Sequence, residues 1–418
     1  MMNYVLGFEC VDCSRHHDSG DVEYVCPDCR GNLDVNYDYE RILESGFGKS
    51  MLERSRDFTM WRYRPLLPVE TGSIVPPLTV GWTPVYDCKS LAVQFAAKQV
   101  WIKDDGRNPT ASFKDRPSAL AAVKAQERGA RIVTTASSGN AGVALAGMCA
   151  SLGMRSVVFV PAAAPPAKLA QLQIYGATVV LVDGSYDDAY DLCLEAGRVF
   201  GWYQRSTGYN PFMSEGKKTA AFEICEQLKW EVPDKVFAGV GDGCIIGALW
   251  KGFRDMKQLG LIDMLPQMIG VQSEKAPAIV DACNGDGVVR ERPAQTIADS
   301  INVGKPRDAV KAIRAIKQSG GRAIAVSDDS ILSSIGRLAR ATGVFVEPAA
   351  AAAFAGFTRM CESGDIRADE RVLLMLTGNG LKDVRAAAKG APPCIRVRPE
   401  LSATIEALMA AGFNRPAK

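Results

Sequence analysis

From about residue 97 onward the chain alternates between two hydrophobic rhythms. Short runs rich in branched and aromatic residues read as strands: "QVWIKDD", "RIVTTAS", "RSVVFVP", "TVVLVDG", "KVFAGVG", "AIAVSD", "VFVEP" and "RVLLMLTG". Between them lie longer stretches with apolar residues at helical spacing: "RPSALAAVKAQERGA", "SGNAGVALAGMCASLG", "AKLAQLQIYG", "YDDAYDLCLEAGRVFG", "EGKKTAAFEICEQLKW", "SILSSIGRLARATG" and "AAAAFAGFTRMCESG". Pro117 suits the first turn of the first of these helices. Strands separated by amphipathic helices predict parallel sheets in α/β layers. "GSIVPPLTVGWTPVY" reads as a structured entry segment, and there is no repeat or low-complexity linker.

In such sheets, ligands sit at the carboxyl ends of the strands. Four stretches of small or hydrogen-bonding residues fall there: "NPTASFK" after "WIKDDG", "SSGNAG" after "IVTTA", "GVGDGCIIG" after "KVFA", and "TGNG" after "VLLML". They read as one shared site. Gly239, Gly241 and Gly243 let successive N–H groups face one anion, and the following helix adds its partial positive charge. A tight glycine turn without ligand is the alternative. A dinucleotide fingerprint fits poorly, because no ribose-binding acid follows a second strand. No G-x4-GK[ST] motif supports an NTPase. Lys114, in "NPTASFKDRPS", is either a solvated charge at a helix mouth or a chemical group.

Composition narrows the chemistry. The 418 residues suggest two to three domains, and 47% are apolar, enough for a large core. With 49 basic and 47 acidic residues the net charge is +2, which gives no drive toward nucleic acid or membranes. No run of 18 apolar residues occurs, and "MMNYVLGFECVDC" is too polar and short for a signal peptide, so a cytoplasmic protein is expected. The chain has two histidines, His16 and His17, both near the N-terminus. A Ser-His-Asp triad or Cys-His pair is therefore excluded from the main body, unless one of the two reaches over. Proton transfer falls to lysine, carboxylates, tyrosine or a cofactor.

Of twelve cysteines, eight are scattered singly, as at Cys149, Cys193 and Cys225, where a free thiol acts as a small hydrophobe. The other four form two C-x2-C knuckles, Cys10 with Cys13 and Cys26 with Cys29. Four thiolates complete a tetrahedral structural zinc site in a small ribbon. The alternative is a ribbon of four reduced thiols that no longer binds metal.

Together the motifs resemble the fold-type II pyridoxal-phosphate enzymes, and most closely the threonine synthase-like family. "NPTASFKDR" is similar to its lysine motif, "SSGNAG" to its asparagine loop, "VGDGCIIG" to its phosphate loop and "LTGNGLKD" to its C-terminal signature. The cysteine-rich start and "MWRYRPLLPV" also resemble that family. The resemblance implies two parallel-sheet α/β domains plus the ribbon: residues 1–40 the ribbon, 41–125 with 207–418 the large cofactor-binding domain, and 126–206 the small domain. It implies that Lys114 bonds to pyridoxal 5′-phosphate (PLP), with Phe113 beside it in the cofactor site. Asn140 would bond the cofactor's phenolic oxygen. Gly241, Asp242, Gly243, Cys244 and Ile245 would cradle its phosphate, and Thr377 would face the ring nitrogen. Ser137, Ser138, Gly139 and Ala141 would meet a small amino-acid substrate. The implied reaction is elimination or replacement, with O-phosphohomoserine to threonine as the default, in a homodimer.

The chain departs from the family pattern at three places. Met213 stands where an arginine commonly binds the substrate phosphate, Ala141 where threonine is common, and Asp242 where asparagine is frequent. Lys217 or Lys218 would then replace the lost charge. A dehydratase, ammonia-lyase or β-replacement enzyme on an unphosphorylated amino acid is the alternative, and no regulatory-domain pattern follows residue 385. A non-catalytic zinc-ribbon scaffold is a third, of another class. Lys103 is the other candidate for the anchoring lysine.

Overall fold

A computed structural model describes residues 4–164 and 166–413. Thirteen strands are described: β1 Val5–Cys10, β2 His16–His17, β3 Leu33–Tyr37, β4 Val85–Asp87, β5 Gln99–Asp104, β6 Ile132–Ala136, β7 Arg155–Pro161, β8 Thr178–Val182, β9 Tyr203–Gln204, β10 Lys235–Gly239, β11 Gln267–Ser273, β12 Arg322–Val326 and β13 Arg371–Leu376. β1 to β3 form a small antiparallel sheet in the order β2-β1-β3. A four-stranded parallel sheet runs β8-β7-β6-β9, and a six-stranded sheet runs β12-β11-β10-β13-β5-β4. The large sheet is parallel except for β4, the end of the Pro- and Gly-rich entry segment, which pairs antiparallel with β5 at the edge.

The predicted alternation is observed, with helices on the sheet faces. β10 is buried at every residue and β13 at all but its first, as a strand covered on both faces must be. One expected strand is absent. In "VFVEP" only Val346 makes an isolated bridge, to Asn379. Glu347 caps the helix Pro348–Glu362 and Pro348 occupies its first turn, so helix geometry overtakes the apolar run. β11 and the helix Ala309–Gln318 were not recognised in the sequence. Among the described residues, no helix is long and apolar enough to cross a membrane.

The chain leaves the large sheet after β5, builds the small sheet, and returns at β10. Both sheets therefore direct their carboxyl ends toward one crevice. Beneath it lies a fully buried ion cluster. Arg116 donates to Asp105 at 2.6 Å and to Glu223 at 2.5 Å, and Lys103 donates to Glu223 at 2.7 Å. Lys103 is thereby held inside the cluster, away from the crevice. Burial opposes ionisation of Glu223, but Arg116 and Lys103 outweigh it and bring its pKa down to about 2. Glu223→Gln should lower unfolding stability by about 3 kcal/mol or more, because it leaves two buried cations short of a partner. Denaturant midpoints measure this. A loss within ~0.5 kcal/mol would show that the cluster contributes no net stability.

Candidate active site

Where the sheet ends meet there is a cavity of about 240 Å³. Lys114 lies on its wall, immediately before the helix Asp115–Glu127. The loop carrying it is pinned. The Thr110 N–H donates to Asp115 Oδ2 at 2.6 Å, and its hydroxyl to Oδ1. The Phe113 N–H donates to the Thr377 carbonyl at 2.8 Å, and Ser112 bridges to Gly378. The lysine loop and the "TGNG" loop are thus one unit. Ala111 is held at φ +65°, a conformation that costs a non-glycine residue about 1–2 kcal/mol. Burial lowers the pKa of Lys114 and the nearby Arg205 guanidinium lowers it further, against the attraction of Glu347, Cys244 and Asp242.

Asn140 begins the helix Asn140–Ser151, and its Nδ2 donates to both carboxylate oxygens of Glu347, at 2.9 and 3.0 Å. Sequence reading passed over Glu347. The available signal was an acid directly before the N1 proline of a helix. A Cβ on Gly378 would stand 2.3 Å from Glu347 Oε1, so that motif glycine is what lets the carboxylate reach Asn140.

The glycine loop after β10 lines another side. Gly243 is left-handed at φ +95°, and a Cβ there would meet the Asp308 carbonyl at 2.7 Å. Asp242 is turned toward the segment behind the loop. Its Oδ1 accepts the Arg307 N–H at 3.2 Å and its carbonyl accepts the Asp308 N–H at 2.9 Å. Burial raises its pKa, which reduces the repulsion expected between this residue and a bound phosphate.

Two cations complete the cavity. Arg205 follows β9, whose pairing with β6 brings it beside the serine loop. Its Nε donates to Ser118 at 3.2 Å and its Nη1 to Thr207 at 2.8 Å. Its Nη2 and the Nζ of Lys217 are buried without a hydrogen-bond partner among the described residues. Burial brings Arg205 down to about 10 and Lys217 down to about 8. Buried charges are normally paired, so this arrangement calls for anions. Arg205 and the cavity-lining Tyr186 were not singled out in the sequence.

Residues 77–378 match the family model described as pyridoxal-phosphate dependent enzyme. The chain is 39% identical to a threonine synthase of Methanocaldococcus jannaschii, covering 94% of this chain and 97% of that one. It is also 39% identical to a threonine synthase of Methanosarcina acetivorans, covering 90% and 92%. The chain belongs to the pyridoxal-phosphate dependent enzyme family. It is a PLP-dependent lyase of threonine synthase-like type. The fold is similar to threonine deaminase isoform 2 of Solanum lycopersicum, with a TM-score of 0.64, 22% identity, and 74% and 87% of the two chains covered. It is likewise similar to diaminopropionate ammonia lyase of Escherichia coli, with a TM-score of 0.65, 20% identity, and 82% and 92% covered.

As a PLP-dependent enzyme, the chain presents groups that fit the cofactor. A lysine of lowered pKa, an amide fixed by a carboxylate, a glycine cradle at a helix start and an unpartnered Lys217 surround one space. Ser137, Ser138, Gly139, Ala141, Cys244, Ile245 and Thr377 also line it.

Three expected site residues lie elsewhere. Phe113 is fully buried in the core with the Arg116 guanidinium 5.7 Å from its ring, and only its backbone ties the two loops. Lys218 points away from the cavity, because successive helix residues diverge by about 100°. Its Nζ lies 2.6 Å from Glu215 and 2.7 Å from Asp255, over the Tyr37 ring. Met213 is buried one turn before Lys217 and is not among the residues lining the main cavity; with Asn32, Lys311 and Lys217 it borders an adjoining space of about 10 Å³.

The N-terminal sheet carries the knuckles. The sulfurs of Cys10, Cys13, Cys26 and Cys29 lie within 4.8 Å of one another, with Cys10–Cys29 at 3.4 Å and Cys13–Cys26 at 3.8 Å. Zinc–sulfur bonds of about 2.3 Å put tetrahedral sulfurs ~3.8 Å apart, so the four residues fit the ion. His17 Nε2 is 3.3 Å from Cys26 Sγ, a neighbour that the knuckle spacing does not reveal.

Proposed function

We propose that the enzyme converts O-phosphohomoserine to threonine with PLP anchored at Lys114. The observation that carries this reading is the pair of buried cationic atoms, Arg205 Nη2 and Lys217 Nζ, that have no hydrogen-bond partner among the described residues, in the cavity that holds Lys114. One cofactor phosphate and a second, substrate-borne phosphate match that demand better than an uncharged side chain does.

Bound PLP supplies an electron sink for charge developing at the substrate α-carbon. The other roles fall to this chain. Lys114, disposed by burial to lose its proton, would hold the cofactor and, once freed, would move the α-proton. Ser137, Ser138 and Gly139, just before the helix starting at Asn140, receive the substrate carboxylate. Asn140, oriented by Glu347, would meet the phenolic oxygen. The Thr377 hydroxyl would face the ring nitrogen without protonating it, which suits elimination and replacement. Residues 241–245 and Lys217 take the cofactor phosphate, and Arg205 takes the substrate phosphate.

The four cysteines fit one structural zinc, since four thiolates leave no open position. Domain limits near residues 40, 126 and 207, a homodimer and a cytoplasmic setting complete the reading. In support of the limits, β1–β3 end at Tyr37 and β6–β9 lie between Ile132 and Gln204.

A panel of phosphohomoserine, serine, threonine and O-substituted serines tests the substrate. Threonine and phosphate formed fastest from phosphohomoserine support it; a faster reaction of an unphosphorylated amino acid overturns it.

The Lys217 assignment predicts a pH effect. Only its ammonium form attracts phosphate, and burial brings its pKa down to about 8. Affinity of the cofactor-free protein for inorganic phosphate should be present below that value and be lost as pH rises through it. Calorimetric titrations between about pH 7 and about pH 9 read this. The same fall in a Lys217→Gln variant would assign it to another group.

A further inference from the structure

We infer that Asn32, in the N-terminal module, is a positioning residue for the cofactor-phosphate cradle, so that metal binding by the four cysteines and PLP binding are linked. The inference rests on the reading of the 241–245 loop as that cradle.

Asn32 is fixed by both knuckles. Its carbonyl accepts the Val11 N–H at 2.9 Å, next to Cys10. The carbonyl of Gly31 accepts the Cys26 N–H at 2.9 Å, and Leu33 pairs with Cys10 across the sheet. The backbone at Asn32 therefore moves with the sulfur cluster.

Its side chain reaches the large domain. Asn32 Nδ2 donates to the Arg307 carbonyl at 2.7 Å and to Asp308 Oδ1 at 2.9 Å. The same two residues support the cradle with their other groups. Their N–H groups donate to Asp242, at 3.2 Å from Arg307 and 2.9 Å from Asp308. The Asp308 carbonyl packs so closely on Gly243 that a Cβ there would approach it to 2.7 Å. One turn further, Lys311 Nζ donates to the Leu33 carbonyl at 2.8 Å and pairs with Asp34 at 2.8 Å. The Arg307 guanidinium lies 4.3 Å over the Tyr190 ring, on the helix Tyr186–Phe200.

A single dipeptide thus has the cysteine module on one side and the cradle on the other. One amide holds it by two bonds, and backbone bonds on the far side fix Asp242 and Gly243. The N–H groups of the cradle can grip a phosphate only if that loop keeps its shape. A module whose sulfurs lose their common ligand loosens Asn32, and through it the loop. Linkage makes the effect reciprocal: bound PLP must hold the metal more tightly by the same factor.

The test titrates cofactor-free protein with PLP, following near-visible absorbance. It compares zinc-loaded wild type, zinc-depleted wild type and Asn32→Ala, with zinc content measured in each. Asn32→Ala should keep its zinc and weaken PLP about tenfold, the worth of one to two hydrogen bonds. Turnover at saturating PLP should stay within about twofold, since the residue touches no reacting atom. Zinc depletion should weaken PLP in wild type and add less in Asn32→Ala, because the two share the Asn32 connection and only the Lys311 contact with Leu33 and Asp34 is left. PLP should also slow zinc release to a chelator. Unchanged PLP affinity in Asn32→Ala overturns the inference, as does a depletion effect equally large in that variant. If the variant does not fold, zinc-depleted wild type decides, and unchanged affinity there overturns it. Failure of zinc-loaded wild type to bind PLP overturns the reading of the cradle itself.

Discussion

Lys114→Ala should abolish the near-visible absorbance of bound cofactor and reduce turnover by at least about 10⁴-fold, while the protein stays folded. The fold survives because the side chain makes no capping bond and, among the described residues, no ion pair. The loop is held by its neighbours instead, through Thr110 with Asp115 and Phe113 with Thr377. The activity does not survive, because Lys114, its pKa lowered by burial, lies in the cavity with Asn140 and directly follows the residue bonded to the "TGNG" loop. Retention of both the absorbance and the activity would assign the role to another lysine. That lysine would be Lys217, which shares the cavity. Lys103 is excluded by its three short contacts, to Thr83, Glu223 and Gln227.

What the sequence revealed and what it hid follow a physical division. Backbone features were legible. Glycines at the strand ends mark where the chain must bend or approach closely: Gly243 does both, and Gly378 lets Glu347 approach. Alternating rhythms gave the two sheets because strands buried on both faces leave unbroken apolar runs. Side-chain direction was not legible. Lys217 and Lys218 are adjacent in the text, yet one faces the cavity and the other an ion cluster, and only helix phase decides between them. Met213 was assigned by motif position, but its turn of the helix faces Asn32 and Lys311. Arg205 was invisible, since nothing in "YQRST" marks it. It enters the site because two residues before it pair with β6. Glu347 was absorbed into an expected strand that became a helix cap.

Arg205 also carries the prediction that bears most directly on substrate. In the proposed reading, the cationic charge expected near Met213 is supplied by this residue, which lines the cavity as Met213 does not. Arg205→Met keeps an unbranched stem in the wall and removes the charged guanidinium. Loss of one buried ion pair with the substrate phosphate costs roughly 2–5 kcal/mol. That is a fall of about 30-fold to several thousand-fold in kcat/KM for phosphohomoserine. An O-acylated homoserine, with no phosphate to hold, should change little. Stability should move the other way. In the free protein, burial disfavours the charged guanidinium, so folding works against it at all pH values below its lowered pKa of about 10. The variant should therefore unfold at higher denaturant than wild type, although it loses bonds to Ser118 and Thr207. A group that is unfavourable to the fold yet decisive for one substrate is what a binding site, unlike a core, retains. Equal losses on both substrates would sink the assignment, because they would mean that Arg205 only braces Ser118 and Thr207. Arg205→Lys separates charge from geometry: it keeps the cation but not the planar fork. Its kcat/KM for phosphohomoserine should fall between wild type and Arg205→Met.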